Sequence, residues 1–111
     1  WMENFGEWIT KFIVDGFTPE SVVSWTVAIK EPGTYNLELE FSGEGLVEWT
    51  ADMDGEYCIK NQKRAFNDFG WHPLGWVKID KPGEHTFSVR ITNGEAAKVK
   101  LGGLSLEPVN L

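Results

Sequence analysis

The strongest constraint in this 111-residue chain is a pattern written twice, fifty residues apart. One copy runs from Val27 to Phe41 and turns at Pro32-Gly33; the other runs from Val77 to Ile91 and turns at Pro82-Gly83. Proline presets φ at the first central position of a turn, and glycine accepts the positive φ that a type II turn needs next. Apolar residues alternate with polar ones on both sides, the period of a strand that buries one face and wets the other. Val23, Trp25, Val27 and Ile29 form one such face, and Tyr35, Leu37, Leu39 and Phe41 the next. Each copy is therefore expected to fold as strand, Pro-Gly turn, strand. Two such units in a short chain predict an antiparallel β-sandwich.

The remaining punctuation agrees. Trp8 to Val14 reads as a first strand, closed by an Asp15-Gly16 turn. Ser42-Gly43-Glu44-Gly45 breaks the alternation, which resumes with Val47, Trp49 and Ala51. Asp54-Gly55 is a type I′ hairpin signal, since both residues accept positive φ, and Tyr57 to Lys60 returns as a strand. Asn61 to Gly70 is mixed and polar and is expected to be a long loop. Trp76 to Ile79 and His85 to Ile91 flank the second Pro-Gly turn, and Asn93-Gly94 turns again. Val99 to Leu106 is a last strand, where Gly102-Gly103 suggests a bulge or a close backbone approach. The expectation is one all-β domain over residues 1–111, with eight or nine strands and no helix longer than a turn or two.

Composition excludes several functions. The net charge of −7 leaves no basic footprint for phosphate, and the short cluster from Lys60 to Arg64 reads as a solvated edge. The single cysteine, Cys58, forbids an internal disulfide and is expected to pack as a small hydrophobe. No apolar run is long enough to span a membrane, and no stretch of this sequence is expected to act as a signal peptide. The chain starts at Trp1, so it is expected to be a piece of a longer protein. Metal-ligand spacings are missing. Most acids, among them Glu38, Glu40 and Glu48, fall on the solvated strand faces, with no nucleophile, base and oxyanion donor set apart. His85 occupies the place of Tyr35 in the repeat, which points to a structural role.

Six tryptophans are the unusual resource. Trp25 and Trp49 lie in alternating strand patterns and belong to the core; Trp8 is assigned to core or sheet edge. Trp71 sits in Phe69-Gly70-Trp71-His72-Pro73-Leu74-Gly75-Trp76, where two glycines and a proline suggest a loop. Exposed aromatic rings stack on the apolar face of a pyranose while polar neighbours bond its hydroxyls. Arg64, Asn67, Asp68, Trp71, His72 and Trp76 are therefore the candidate sugar-binding residues. The bland alternative is that Trp71 folds down as a lid on the sandwich end.

Taken in order, Ser24-Trp25-Thr26-Val27 with Pro32-Gly33-Thr34-Tyr35, Trp49 with Met53-Asp54-Gly55, Leu74 to Ile79 with Pro82-Gly83-Glu84-His85, and the closing Leu101 to Val109 form a series. This series resembles the galactose-binding-like β-sandwich, a jelly roll. It is similar to the C-terminal domains of bacterial α-L-fucosidases and, more distantly, to family-six carbohydrate-binding modules. The resemblance covers the chain from about Gly16 onward and carries turns and strands rather than site residues. It implies a non-catalytic C-terminal domain of a longer, secreted or periplasmic glycosidase. Its partners would be a glycan or terminal sugar and the parent catalytic domain. Many family-six modules hold a structural calcium; here Glu3, Glu7 and Glu107 are available, but Leu104 and Leu106 stand where an acid belongs, so no cofactor is expected. The alternative is a purely structural domain docked on its parent. Exposed, adjacent Trp71 and Trp76 would favour binding. Burial, or a flat apolar face beside Trp1, Met2 and Phe5, would favour docking.

Overall fold

Alternation in sequence becomes alternation in burial. Along Val23–Ile29 and Gly33–Ser42, every second residue is withdrawn from solvent, and Val27, Leu37, Leu39 and Phe41 are fully buried. The computed structural model describes residues 2–4, 7–14, 16–18 and 20–109, with the backbone path alone for 2–4 and 7–14. The strands are β1 (Met2–Asn4), β2 (Glu7–Val14), β3 (Val23–Ile29), β4 (Gly33–Ser42) and β5 (Gly45–Met53). They continue with β6 (Glu56–Ala65), β7 (Gly70–Ile79), β8 (Gly83–Asn93) and β9 (Lys100–Pro108), with one 3-10 turn at Ala96–Lys98. A five-stranded sheet in the order β1-β2-β9-β4-β7 faces a four-stranded sheet in the order β3-β8-β5-β6. All pairings are antiparallel. The expected β-sandwich is what forms. The readings that fall on Trp1, Phe5, Asp15 and the side chains of Met2, Glu3, Glu7 and Trp8 lie outside the described residues.

The Pro-Gly units are not hairpins. β3 belongs to one sheet and β4 to the other, and so do β8 and β7. Each unit is an arch that carries the chain across the sandwich, and the strands of one arch pair with those of the other. Ile29 pairs with Gly83 and Ile79 with Gly33; Val27 pairs with His85 and Val77 with Tyr35. Exchanging the copies, by adding fifty to the residue of the first and subtracting fifty from that of the second, turns one set of pairs into the other, a local twofold between the repeats. The physical reason is that proline has no N–H for a ladder and ends the strand before it. The chain can then leave its sheet instead of folding back in it. Gly83 takes a positive φ of 115°, whereas Gly33 is absent from the positive-φ residues, so the first corner is not the expected type II turn.

The twofold extends to the side chains that fasten the corners. Tyr35 donates its hydroxyl to the Glu31 carbonyl at 2.7 Å, and His85 Nε2 reaches the Lys81 carbonyl at 2.7 Å, four residues back in each copy. His85 Nδ1 also meets Asp54 Oδ2 at 2.6 Å, and the Thr86 amide donates to Asp54 Oδ1 at 2.8 Å. Asp54 stands at φ 53° and Gly55 at φ 84°, the left-handed pair expected of the β5–β6 hairpin. That hairpin is thereby tied to the second arch. Between the sheets, Trp49 is fully buried, with Phe17 edge-on at 5.8 Å and Phe41 tilted against it at 5.3 Å. Trp25 is buried as well.

The His85–Asp54 pair sets a pH window. Both imidazole nitrogens face acceptors, so Asp54 first and the Lys81 carbonyl second raise the His85 pKa above its usual range. The Thr86 amide, then the His85 ring, hold Asp54 below the usual carboxylate range. The His85 contribution is complete below about pH 6.5 and is lost as pH rises through its folded value. The Asp54 contribution is complete above about pH 4 and is lost as pH falls through its folded value. The thermal midpoint is expected to be highest between those limits, and His85→Gln is expected to flatten the alkaline decline. Scanning calorimetry across pH checks this; an alkaline arm unchanged by the substitution would refute it.

Candidate functional site

The stretch expected to be loop is mostly strand. β6 continues to Ala65 and β7 starts at Gly70, so only residues 66–69 connect them. β7 is the edge of the five-stranded sheet and pairs with β4 along its whole length. Pro73 is tolerated within it because the outer side of an edge strand needs no donor. The reading failed because Pro73, Gly70 and Gly75 imitate a loop when only local composition is weighed.

Trp71 and Trp76 are five residues apart, and an odd spacing on a regular strand puts side chains on opposite faces. Here the register slips at Leu74: Gly75 pairs with Leu37, but Pro73 pairs with Glu38. Six residues of β7 therefore match five of β4, from Asn36 opposite Trp76 to Glu40 opposite Trp71. The bulge sends Leu74 into the core, and Trp76, Pro73 and Trp71 all emerge on the outer face. Trp76 is 60% exposed and Trp71 37% exposed. They are not adjacent, since Pro73 lies between them. Beside them along β4 run Asn36, Glu38 and Glu40, half-buried on the same face, and beyond these Glu107, Ser105 and Gly103 of β9.

The other candidate residues go elsewhere. His72 turns inward and lies against Phe41, with ring centroids 4.4 Å apart. Its Nε2 is buried with no hydrogen-bond partner among the described residues. Burial, reinforced by the charge of Lys63, lowers its pKa. It is neutral packing under the strand rather than part of the outer face. Arg64 is exposed on β6 opposite Leu46, on the other sheet. Asn67 and Asp68 are exposed in the 66–69 connection. Cys58 is half-buried against the core, and burial, then Asp52, pushes its thiol pKa up, which favours the protonated form over the nucleophilic thiolate.

Two features were not visible in the sequence. Phe69, 40% exposed, lies on the backbone of Gly102: a Cβ there would stand 3.0 Å from its ring and 2.9 Å from Glu40 Oε1. Phe69 thus joins the row that contains Trp71. It also lines a groove of ≈ 400 Å³ at the end of the sandwich, with Gly43, Glu44, Asn67, Lys98 and Lys100. Lys98 is held by Glu44 at 2.8 Å and Glu95 at 3.4 Å. The lining residues come from three connections far apart in the chain, and no local pattern announces them.

The opposite outer face is different in kind. Ser24 and Ser88 hydrogen-bond at 2.8 Å, Thr26 and Thr86 at 3.0 Å, and Thr50 and Thr92 at 3.0 Å. Arg90 donates to Asp52 at 2.9 Å. These polar groups bond one another across the strands, and Tyr57, opposite Asp52, stands exposed at the β6 edge; the β7 side carries two exposed indoles beside Asn36, Glu38 and Glu40.

The fold is shared with proteins that act on or bind carbohydrate. The GH26-CBM35 β-(1,4)-mannanase of Podospora anserina matches with a TM-score of 0.75 at 11% identity, over 97% of this chain and 29% of that one. The carbohydrate-binding module CBM6cm-2 of Cellvibrio mixtus lichenase 5A, in complex with cellotriose, matches with a TM-score of 0.71 at 14% identity, over 97% and 91%. The CBM36-1 domain of a multidomain xylanase from the Trinervitermes trinervoides hindgut metagenome matches with a TM-score of 0.65 at 12% identity, over 94% and 88%. This chain spans less than a third of the mannanase and nearly all of the two isolated modules. No protein-family model and no curated protein matches it. At these identities the likeness is one of fold, which does not carry function by itself.

The geometry separates rim rings from core rings. Trp49→Ala is expected to cost about 3–5 kcal/mol, because it leaves a cavity in the packed centre. Trp71→Ala and Trp76→Ala are expected to stay within about 1 kcal/mol of the parent, as surface changes do. Chemical denaturation of the three variants checks this; a large loss for Trp76→Ala would place that ring in the load of the fold.

Proposed function

We propose that this chain is a non-catalytic carbohydrate-binding accessory module that holds a glycan on the outer face of the five-stranded sheet. The observation that carries the reading is that Trp71 and Trp76 emerge on the same side of edge strand β7, above Asn36, Glu38 and Glu40. A pyranose is amphipathic. Its C–H face matches an exposed indole, and its hydroxyls match amide and carboxylate groups at the ring's edge. The isolated modules of like fold and nearly full coverage are carbohydrate-binding by name, which supports the same reading.

The arrangement suits holding rather than cutting. Glycosidic cleavage needs two carboxyl groups flanking the bond. Glu38 and Glu40 lie two apart on one strand and reach a bound ring from the same side. Within this proposal the chain serves a larger secreted or periplasmic glycoside hydrolase as its accessory domain. The resemblance in sequence points to an α-L-fucosidase type of parent. Binding is proposed to be independent of calcium: Leu104 and Leu106 of the last strand are fully buried in the core and offer no oxygen ligand there.

The test is a titration of tryptophan fluorescence with monosaccharides, including fucose and galactose, and short neutral glycans at millimolar concentration, with calcium or with chelator. A saturable shift is expected, unchanged by chelation and abolished by Trp76→Ala. A flat response over the whole panel would reject the reading in favour of a structural domain docked on its parent.

A further inference from the structure

The outer face of β7 and the end groove meet at one side chain. Phe69 presses on Gly102 beside Glu40, in the row that Trp71 occupies, and it also forms a wall of the groove. From Phe69 to Trp76 the backbone is extended apart from the bulge, so the three rings are strung over about 20 Å. One sugar ring cannot touch both ends of that line. Beyond Trp76 the strand continues with exposed Lys78. The line is thus open at the Trp76 end and leads into a recess at the Phe69 end.

The recess has the size and polarity for the end of such a ligand. Its volume of ≈ 400 Å³ falls in the range of small-molecule sites. Lys98, Lys100 and Asn67 supply donors, and Glu44 and Asn67 supply acceptors. Lys98 is already engaged by Glu44 and Glu95, which leaves Lys100 and Asn67 as the open donors. One open ammonium beside an amide can hydrogen-bond hydroxyl groups, whereas a phosphate or a run of uronates calls for clustered cations. The chain's net charge of −7 disfavours an acidic polymer.

We infer that the ligand is a neutral glycan chain several rings long, lying along β7 with one end in the groove, and not a single terminal sugar. This rests on the carbohydrate-binding reading and narrows it. The gain comes from linkage: once one end is stacked, the other contact becomes intramolecular, and affinity grows with chain length until the line is spanned.

The experiment is isothermal titration calorimetry of the full chain with β-1,4-linked gluco-, manno- and xylo-oligosaccharides, each from monosaccharide to hexasaccharide, and with an acidic oligogalacturonate as contrast. The preferred series is expected to gain at least about tenfold in affinity from disaccharide to hexasaccharide, with no binding of the oligogalacturonate. Trp76→Ala at one end and Asn67→Ala at the other, both exposed, are each expected to bring the hexasaccharide down toward disaccharide affinity. Mono- or disaccharides that bind as tightly as the hexasaccharide would overturn the chain reading and leave carbohydrate binding standing. Preferential binding of the oligogalacturonate would overturn the neutral-ligand claim. No binding by any member would overturn the chain reading, and together with a flat response in the monosaccharide and short-glycan titration it would overturn carbohydrate binding as well.

Discussion

Everything in this sandwich hangs on the way its two Pro-Gly arches pair with each other. Each arch crosses from one sheet to the other, and its strands find their partners in the other arch rather than in themselves. The four strands involved join the two sheets at one end and fix the register of both. Tyr35 and His85 tighten the corners by the same backward reach to a carbonyl. A chain closed in this way has no freedom to slide. A slip of one residue would turn Val27, Ile29, Leu37 and Val77 out of the core together.

The outer face of the five-stranded sheet inherits that register. Starting from Gly33 opposite Ile79, β7 runs in step with β4 until the bulge at Leu74. The bulge seats a leucine in the core and reverses the parity of everything beyond it. Without it, Trp71 and Trp76 would point to opposite sides. A second irregularity, where β9 passes Glu40 and Phe41, places Gly102 under the Phe69 ring. A side chain there would have to push aside the Phe69 ring and the Glu40 carboxylate, since its first carbon would stand 3.0 Å and 2.9 Å from them. Two local defects in ladder regularity, each enforced by packing, thus align three aromatic rings on one side.

Much of the fold was legible because burial follows a period of two and turns follow residue chemistry. The faces Trp25-Val27-Ile29, Leu37-Leu39-Phe41 and Val47-Trp49-Ala51 are buried as their alternation predicts, and Asp54-Gly55 turns with the expected positive φ. What failed is non-local. A hairpin and an arch have the same strand-turn-strand pattern, and only the tertiary partner tells them apart. The stretch from Asn61 to Trp76 was misread because a bulge breaks its alternation and because Pro73 is acceptable on an edge strand. Of the candidate residues, Trp71 and Trp76 stand together on β7. His72, with the same local context, is turned inward by parity. Glu38 and Glu40 looked like ordinary solvated acids, and Phe69, Lys98 and Lys100 share a groove that no spacing in the chain encodes.

The division of labour among the tryptophans follows from the same geometry. Trp25 and Trp49 sit between the sheets, where each indole displaces water on both faces and contributes its full apolar area to folding. Trp76 leaves more than half of its surface in water, so its apolar area is largely unused by the folded chain. Nothing in the core needs it, since Leu74 and Val77 on either side already fill the interior. Apolar area held out on a fixed register, beside carboxylates and an amide, would meet the proposed ligand already in place. Its rings cannot collapse inward without undoing the β4–β7 ladder. That ladder is anchored at the arch, so the constraint that holds the sandwich closed also holds the rings open. Preorganisation of this kind lowers the ordering cost of binding, and here it is a direct result of strand register rather than of a flexible loop.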